Sequence, residues 1–164
     1  MEYEIERKFL LKNLPNVKYD KTYLIYQYYL ENDGNWIDRI RKITYSGEIK
    51  YIRTRKLKIS SIANKEEEFE ITKEEYGELK KLTISKIIKK RHVIKYGDYK
   101  WEIDVFSNIN IILCELEMVT TKEKLEEITK EINEIEIPQF ISRNLIMEVT
   151  DRMQFTNKYL SIIL

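Results

Sequence analysis

Glu4-Ile5-Glu6-Arg7-Lys8 places two carboxylates and an ammonium at every second position near the start of the chain. Successive side chains of an extended strand point to opposite faces, so Glu2, Glu4, Glu6 and Lys8 share one face while Tyr3, Ile5, Arg7 and Phe9 take the other. The same arithmetic pairs Arg39 with Arg41, Lys50 with Thr54 and Lys56, and Glu66 with Glu68 and Glu70. Further along it pairs Lys89 with Arg91, Glu102 with Asp104, and Glu115 with Glu117. Any one of these faces reads most simply as the solvated side of a half-buried antiparallel sheet. Taken together they are segregated by sign, whereas a solubilising surface intersperses signs because like charges on one strand face repel. Such clusters call for a counter-charge. Clustered carboxylates suit hard divalent cations with oxygen ligands, and guanidinium and ammonium groups suit phosphate oxygens. A metal-bound polyphosphate satisfies both sets at once.

The elements that must position these groups are predominantly strands. Period-two alternation and enrichment in Tyr, Ile, Val and Thr predict strands at Tyr3–Leu11, Tyr23–Leu30, Trp36–Thr44, Ile49–Lys58, Lys65–Ile71, Lys86–Tyr96, Tyr99–Phe106 and Ile111–Val119. Tyr45-Ser46-Gly47-Glu48 and Gly97-Asp98 read as hairpin turns, so the sheet is expected to be mostly antiparallel. Thr72 with Glu75 forms a capping box opening a helix at Lys73–Leu82, and Thr120 with Glu123 suggests the same for Lys122–Asn133. In the latter, Leu125, Ile128 and Ile132 fall on one face, which packs against the sheet. After Pro138 a short helix at Gln139–Asn144 and an extended Ile146–Thr150 are expected. Eight strands are about the number that closes a small barrel. The fold class is therefore mainly β (α+β), a closed antiparallel eight-stranded β-barrel with peripheral helices. Turning the charged faces inward requires a charged occupant, because an unpaired buried ion costs several kcal/mol.

Composition bounds the alternatives. The 164 residues, 43% hydrophobic, with four Gly and two Pro and no low-complexity tract, suit a single domain over residues 1–164. Twenty-nine basic against 28 acidic residues give a net charge of +1. No global field favours nucleic acid or an anionic membrane, and any anion site is local. Cys114 is the only cysteine, so there is no disulfide framework; it reads as a small buried hydrophobe in a chain suited to a reducing compartment. No apolar run approaches a membrane span and the acidic opening is unlike a signal peptide, so a soluble cytoplasmic protein is expected. A single histidine, His92, excludes a histidine-based zinc site, and its position on the face opposite Lys89 and Arg91 puts it outside a barrel. No Ser-His-Asp triad, Cys-His pair or Gly-rich phosphate loop is present. Tyr23, Tyr26, Tyr28 and Tyr29 could stack bases, but a β-rich segment favours aromatics anyway. Trp36 and Trp101 read as packing residues, and Lys122–Glu136 as a solvated helix face with an apolar underside.

Glu4-Ile5-Glu6-Arg7-Lys8-Phe9-Leu10 resembles, in extended form, the Glu-x-Glu-x-Lys signature of the CYTH superfamily, the triphosphate tunnel metalloenzymes. Matches follow in family order at Arg39-Ile40-Arg41, Thr54-Arg55-Lys56, Glu66 to Ile71, Lys89 with Arg91, Trp101 to Phe106, Glu115-Leu116-Glu117 and Glu148-Val149-Thr150, spanning nearly the whole chain. The resemblance implies an antiparallel eight-stranded tunnel with a charged interior. It implies that Lys8, Arg39, Arg41, Lys56 and Arg91 hold triphosphate oxygens, and that Glu4, Glu6, Asp104, Glu115 and Glu117 bind or orient one or two Mg²⁺ or Mn²⁺ ions. It further implies a water-activating pair at Lys89 and Tyr29. This chain departs from the family pattern at Gln27-Tyr28-Tyr29, where Gln-Gly-Tyr is frequent, and at Asn64, where an Arg is found. A slip of one residue would exchange Lys56 for Arg55, and the tail after Thr150 is one residue shorter than in many relatives. The implied activity is metal-dependent hydrolysis of a linear triphosphate, inorganic tripolyphosphate first, with nucleoside triphosphates open. Adenylyl cyclase, thiamine-triphosphatase and a non-catalytic polyphosphate- or nucleotide-binding module are the alternatives. The implied partner is a small-molecule triphosphate, without nucleic acid or membrane, and a homodimer remains open.

Overall fold

The alternating segments form strands because each places its β-branched or aromatic residues on one face and its charged residues on the other. The computed structural model describes residues 2–163. In chain order the elements are β1 (Glu2–Leu11), β2 (Lys21–Tyr29), β3 (Trp36–Tyr45), β4 (Glu48–Lys58), β5 (Ala63–Glu70), α1 (Lys73–Lys80), β6 (Ser85–Tyr96), β7 (Tyr99–Phe106) and β8 (Ile112–Thr120). They are followed by α2 (Leu125–Glu134), α3 (Gln139–Ser142), β9 (Leu145–Glu148), a 3-10 turn at Met153–Phe155 and α4 (Asn157–Ile163).

The strands hydrogen-bond in the order β5-β4-β3-β2-β6-β7-β8-β1-β9, and β5 also pairs with β1, closing eight antiparallel strands into a barrel. β1 holds the closure. One edge pairs with β8 along its length, from Tyr3–Thr120 to Leu11–Ile112. The other pairs with β5 at Glu2–Ile5 and with β9 at Phe9–Leu11. The two predicted turns are hairpins. Ser46 and Gly47 have φ of 48° and 81°, as a two-residue turn with both central residues left-handed requires, and Gly97 at 62° opens the second turn.

Apolar packing lies mostly outside the barrel. Ile5, Phe9, Trp101, Ile103, Cys114 and Leu116 are buried with Ile132 of α2 and Ile141 of α3, each large side chain contributing about 1.5–3 kcal/mol. A second cluster, Leu30, Ile40, Ile71 and Tyr76, sits under α1. The third lies within one end of the barrel, where Ile87, Phe106 and Leu113 meet Val149 and Leu160 of the tail. The C-terminal segment thus fills the β6–β8 side of that end, and the charged faces occupy the rest of the lumen.

The expected strands match within two residues at each end, and the Thr72–Glu75 capping box is present in both halves. The second capping box is not. Thr120 is the last residue of β8, paired with Tyr3, and α2 starts at Leu125 behind Lys124 with no side-chain cap. Pairing to β1 keeps Thr120 extended. The short helix ends at Ser142 rather than Asn144, and the extended segment is displaced to Leu145–Glu148, where it pairs with β1. α4 was not expected. His92 lies outside, against the Tyr19 ring at 5.0 Å and within hydrogen-bonding distance of Thr22 Oγ1 at 3.0 Å.

Candidate active site in the barrel lumen

Inward positions of β1, β3, β4, β6, β7 and β8 carry the charge, and their cross-strand registers decide which groups meet. Glu6 lies directly opposite Glu117 in the β1–β8 pair. Glu4, Glu6 and Glu117 each present a carboxylate oxygen within 4.8 Å of the others. The cation bonded to this trio is Lys56, whose Nζ donates to Glu4 Oε1 at 2.7 Å. Burial raises the carboxyl pKa of Glu4, but Lys56 outweighs it and holds the group below its usual value. Burial, then the Glu4 charge, pushes Glu117 up to about 8, and burial also raises Glu6. Full ionisation of the trio would leave negative charge that one ammonium does not compensate, so Glu117 and Glu6 hold their protons more tightly, and a donor set made only of carboxylate oxygens fits a hard divalent cation.

Beside the trio stands a neutralised hub. Asp104, 1% exposed, accepts from Lys89 Nζ at 2.8 Å and from Arg91 Nε and Nη2 at 2.8 and 2.9 Å. Arg91 also reaches Glu102 at 2.8 Å and Glu115 at 3.8 Å, and Glu115 lies 3.3 Å from Lys8 Nζ. Burial opposes ionisation of both acids, but Arg91 and Lys89 hold Asp104 well below the usual carboxylate range, and Lys8 followed by Arg91 holds Glu115 at about 2. Burial lowers Lys89 to about 8 against the pull of Asp104. The structure therefore divides the five carboxylates that the resemblance grouped together: Glu4, Glu6 and Glu117 form one cluster, while Asp104 and Glu115 are occupied by cations.

Arg39 is different. Among the described residues no carboxylate lies within 4.0 Å of it, and its Nε is buried without a partner. It lines the cavity on both sides of the trio. Arg41 contacts Glu68 at 3.3 Å and is lowered to about 10 by burial and by Arg39. Lys56 faces the lumen while Arg55 turns outward to Asp33 at 2.7 Å, which fixes the β4 register. Tyr28, standing where Gly is frequent, points outward and packs on Tyr76 at 6.2 Å, so the lumen is not narrowed there. Asn64 lines the cavity.

Of the twelve residues singled out from the sequence, ten line the lumen and two, Lys89 and Asp104, lie buried behind it. Lys89 and Tyr29 are not joined by a hydrogen bond. Lys89 donates to Asp104 and to Asn157 Oδ1 at 2.9 Å, and the Tyr29 hydroxyl accepts from Gln27 Nε2 at 2.6 Å. Sequence reasoning missed the residues that the tail contributes. Arg152, Asn157 and Lys158 line the same cavity, with Lys158 Nζ 4.9 Å above the Tyr29 ring. Their signal is faint: Thr156, whose Oγ1 accepts from Tyr159 N, followed by Leu160 and Ile163 at helical spacing.

No family model and no curated protein matches the sequence. Solved structures do. The inorganic triphosphatase NE1496 is 24% identical, with 97% of this chain and 94% of that chain covered at a TM-score of 0.60. PH1819 from Pyrococcus horikoshii OT3 is 17% identical, with 98% and 97% covered and a TM-score of 0.72. HpAC1 from Hippeastrum, an adenylyl cyclase candidate described as having a dominant triphosphatase activity, is 16% identical with 80% and 86% covered at 0.53. The chain thus shares the fold of these solved structures, and its closed eight-stranded barrel with inward charged faces agrees with the tunnel that the sequence resemblance implies.

Proposed function

We propose that the protein is a divalent-metal-dependent triphosphatase that hydrolyses a linear triphosphate, preferably inorganic tripolyphosphate, and releases orthophosphate. One observation carries this reading: the guanidinium of Arg39, without a carboxylate partner among the described residues, stands in the barrel lumen beside three carboxylates that share a single bonded cation. Arg39, Arg41, Lys8 and Lys56 would bind the phosphate oxygens, and Glu4, Glu6 and Glu117 would hold Mg²⁺ or Mn²⁺. Once bound, the ion supplies neutralisation of phosphate charge and a lower pKa for a coordinated water. Phosphoryl transfer needs mainly positioning and charge stabilisation. Ion pairs such as Arg91–Asp104 and Lys8–Glu115 hold the cationic side chains in place before substrate arrives. Lys89, behind the lumen wall and bonded to Asp104 and Asn157, would position Asp104, Arg91 and the tail rather than touch the attacking water, while Tyr29, which lines the cavity, would orient it.

The preference for an inorganic substrate rests on the lining. Among the described residues Tyr29 is the one aromatic ring on the tail side of the cavity; it is 2% exposed with Lys158 over one face, which leaves no free face there on which a base could stack. Phosphate release from tripolyphosphate, ATP, thiamine triphosphate and pyrophosphate, each with Mg²⁺ and Mn²⁺, tests the reading. The expected result is metal-dependent orthophosphate release, fastest from tripolyphosphate. Cyclic AMP and pyrophosphate from ATP would replace it with a cyclase, and tight binding without turnover would replace it with a binding module.

A further inference from the structure

The two ends of the lumen carry opposite charge. Strand directions set the geometry. β1 and β4 run toward the end where the tail packs, ending at Leu11 and Lys58, while β5 and β8 run away from it, ending at Glu70 and Thr120. The chamber on the tail side opens between the β4–β5 loop at Ser61 and Ile62 and the tail at Thr150–Lys158. It is lined by seven cationic residues and four carboxylates, for a formal balance of +3. Its cations beyond the shared centre include Lys58, Arg152 and Lys158; Asp151 neutralises Lys58 at 2.6 Å, while Lys158 has no carboxylate within 4.0 Å among the described residues. The chamber on the β5 side is lined by four cationic residues and six carboxylates, for a balance of −2, with Glu2 and Glu68 exposed and Glu66 buried deeper. Arg39, Lys56, Arg91 and Glu117 line both chambers, so the two mouths lead to one centre from opposite sides.

Charged clefts with low-dielectric walls focus field lines and raise the local concentration of ions of opposite charge. From the opposed rims we infer that the tunnel sorts its two ligands by port: the triphosphate is admitted on the tail side, past Arg152 and Lys158, and the divalent cation on the β5 side, past Glu2 and Glu66. Glu4 lines the β5-side chamber, Glu6 the tail-side chamber and Glu117 both, so the carboxylate trio is reachable from the acidic mouth without crossing the anion's path. A metal–triphosphate complex formed in solution still carries net negative charge and is steered to the basic port. A group attached to one end of the triphosphate would have to leave by the tail side. This inference rests on the triphosphatase reading.

Arg152 and Glu2 are exposed, lie outside the groups assigned to substrate and metal, and make no ion pair among the described residues, so reversing either charge spares the fold. Arg152→Glu is expected to lower kcat/KM for tripolyphosphate about three- to tenfold at low salt with kcat nearly unchanged, the effect shrinking as ionic strength screens it. Glu2→Lys is expected to leave that kcat/KM within about twofold, while weakening Mn²⁺ binding to the substrate-free protein several-fold; Mn²⁺ titration by electron paramagnetic resonance reads this without turnover. Equal effects of the two variants on both ligands, a Glu2→Lys gain in kcat/KM matching the Arg152→Glu loss, or no salt-dependent change in either variant would overturn the inference while leaving the triphosphatase reading intact. A wild-type protein that releases no phosphate overturns that reading instead, and calorimetric binding of tripolyphosphate to the same variants then decides the ports.

Discussion

Glu117 is the lumen carboxyl whose ionisation its surroundings oppose most clearly. Its carboxyl titrates at about 8 in the fold and near 4.5 when unfolded. Between those values the native state keeps a proton that the unfolded chain has lost, so stability falls as pH rises across that window. Thermal unfolding in chelator is expected to show a Tm that declines from pH 5 to pH 8 more steeply in the wild type than in Glu117→Gln. Because a divalent ion displaces that proton, Mg²⁺ or Mn²⁺ should raise Tm more at pH 8 than at pH 5. His92, lowered by burial and then Lys90, contributes in the opposite direction near pH 6.5 and is common to both proteins, so the comparison removes it. Asp104 makes the contrasting case. It is the shared acceptor of Lys89 and Arg91, and removing one partner of such a buried network costs about 3–5 kcal/mol. Asp104→Ala should therefore lose that much stability in denaturant titration, yet bind Mn²⁺ as the wild type does, whereas Glu117→Gln should lose Mn²⁺ affinity. Parity alone could not separate these two acids: both point inward, and only cross-strand register shows that Glu117 faces Glu6 while Asp104 pairs with Arg91.

At the scale of elements, β1 and the tail do most to build the site. The outward face of β1 anchors α2. Arg7 donates to the carbonyls of Ile132 and Ile135 at 3.2 and 2.9 Å and pairs with Glu148 at 2.9 Å, so the basic residue in the middle of Glu4–Lys8 acts on the opposite side of the wall from its neighbours. The tail is held by Leu160 against Ile87 and Leu113. Leu160→Ala should cost about 2–5 kcal/mol and should lower turnover as well, because Asn157 in the same helix holds Lys89; urea unfolding and phosphate release read the two effects. The eight barrel strands were legible because an alternating face is written directly in the sequence. α2 began later than its cap signal because Thr120 is committed to β8, and α4 was illegible because its seven residues depend on tertiary packing rather than on helix propensity.

At the scale of the whole molecule, a net charge of +1 conceals a lumen with a strongly uneven distribution. Near-neutrality argued for a local anion site rather than a global basic surface, but the opposed polarity of the two mouths depends on Lys158 and Arg152 returning from the C-terminal segment to the end of β4. Closure by β5 on β1 converts eight half-charged strands into one site, and Arg39, which lines both chambers and has no carboxylate partner among the described residues, is its most direct probe. The decisive measurement is orthophosphate release from tripolyphosphate with Mg²⁺ or Mn²⁺ by the wild type and by Arg39→Ala, with folding checked by circular dichroism. Metal-dependent release by the wild type and loss of most turnover in a folded Arg39→Ala protein is the predicted result; near-normal release by the variant, or none by the wild type with either metal, would contradict it.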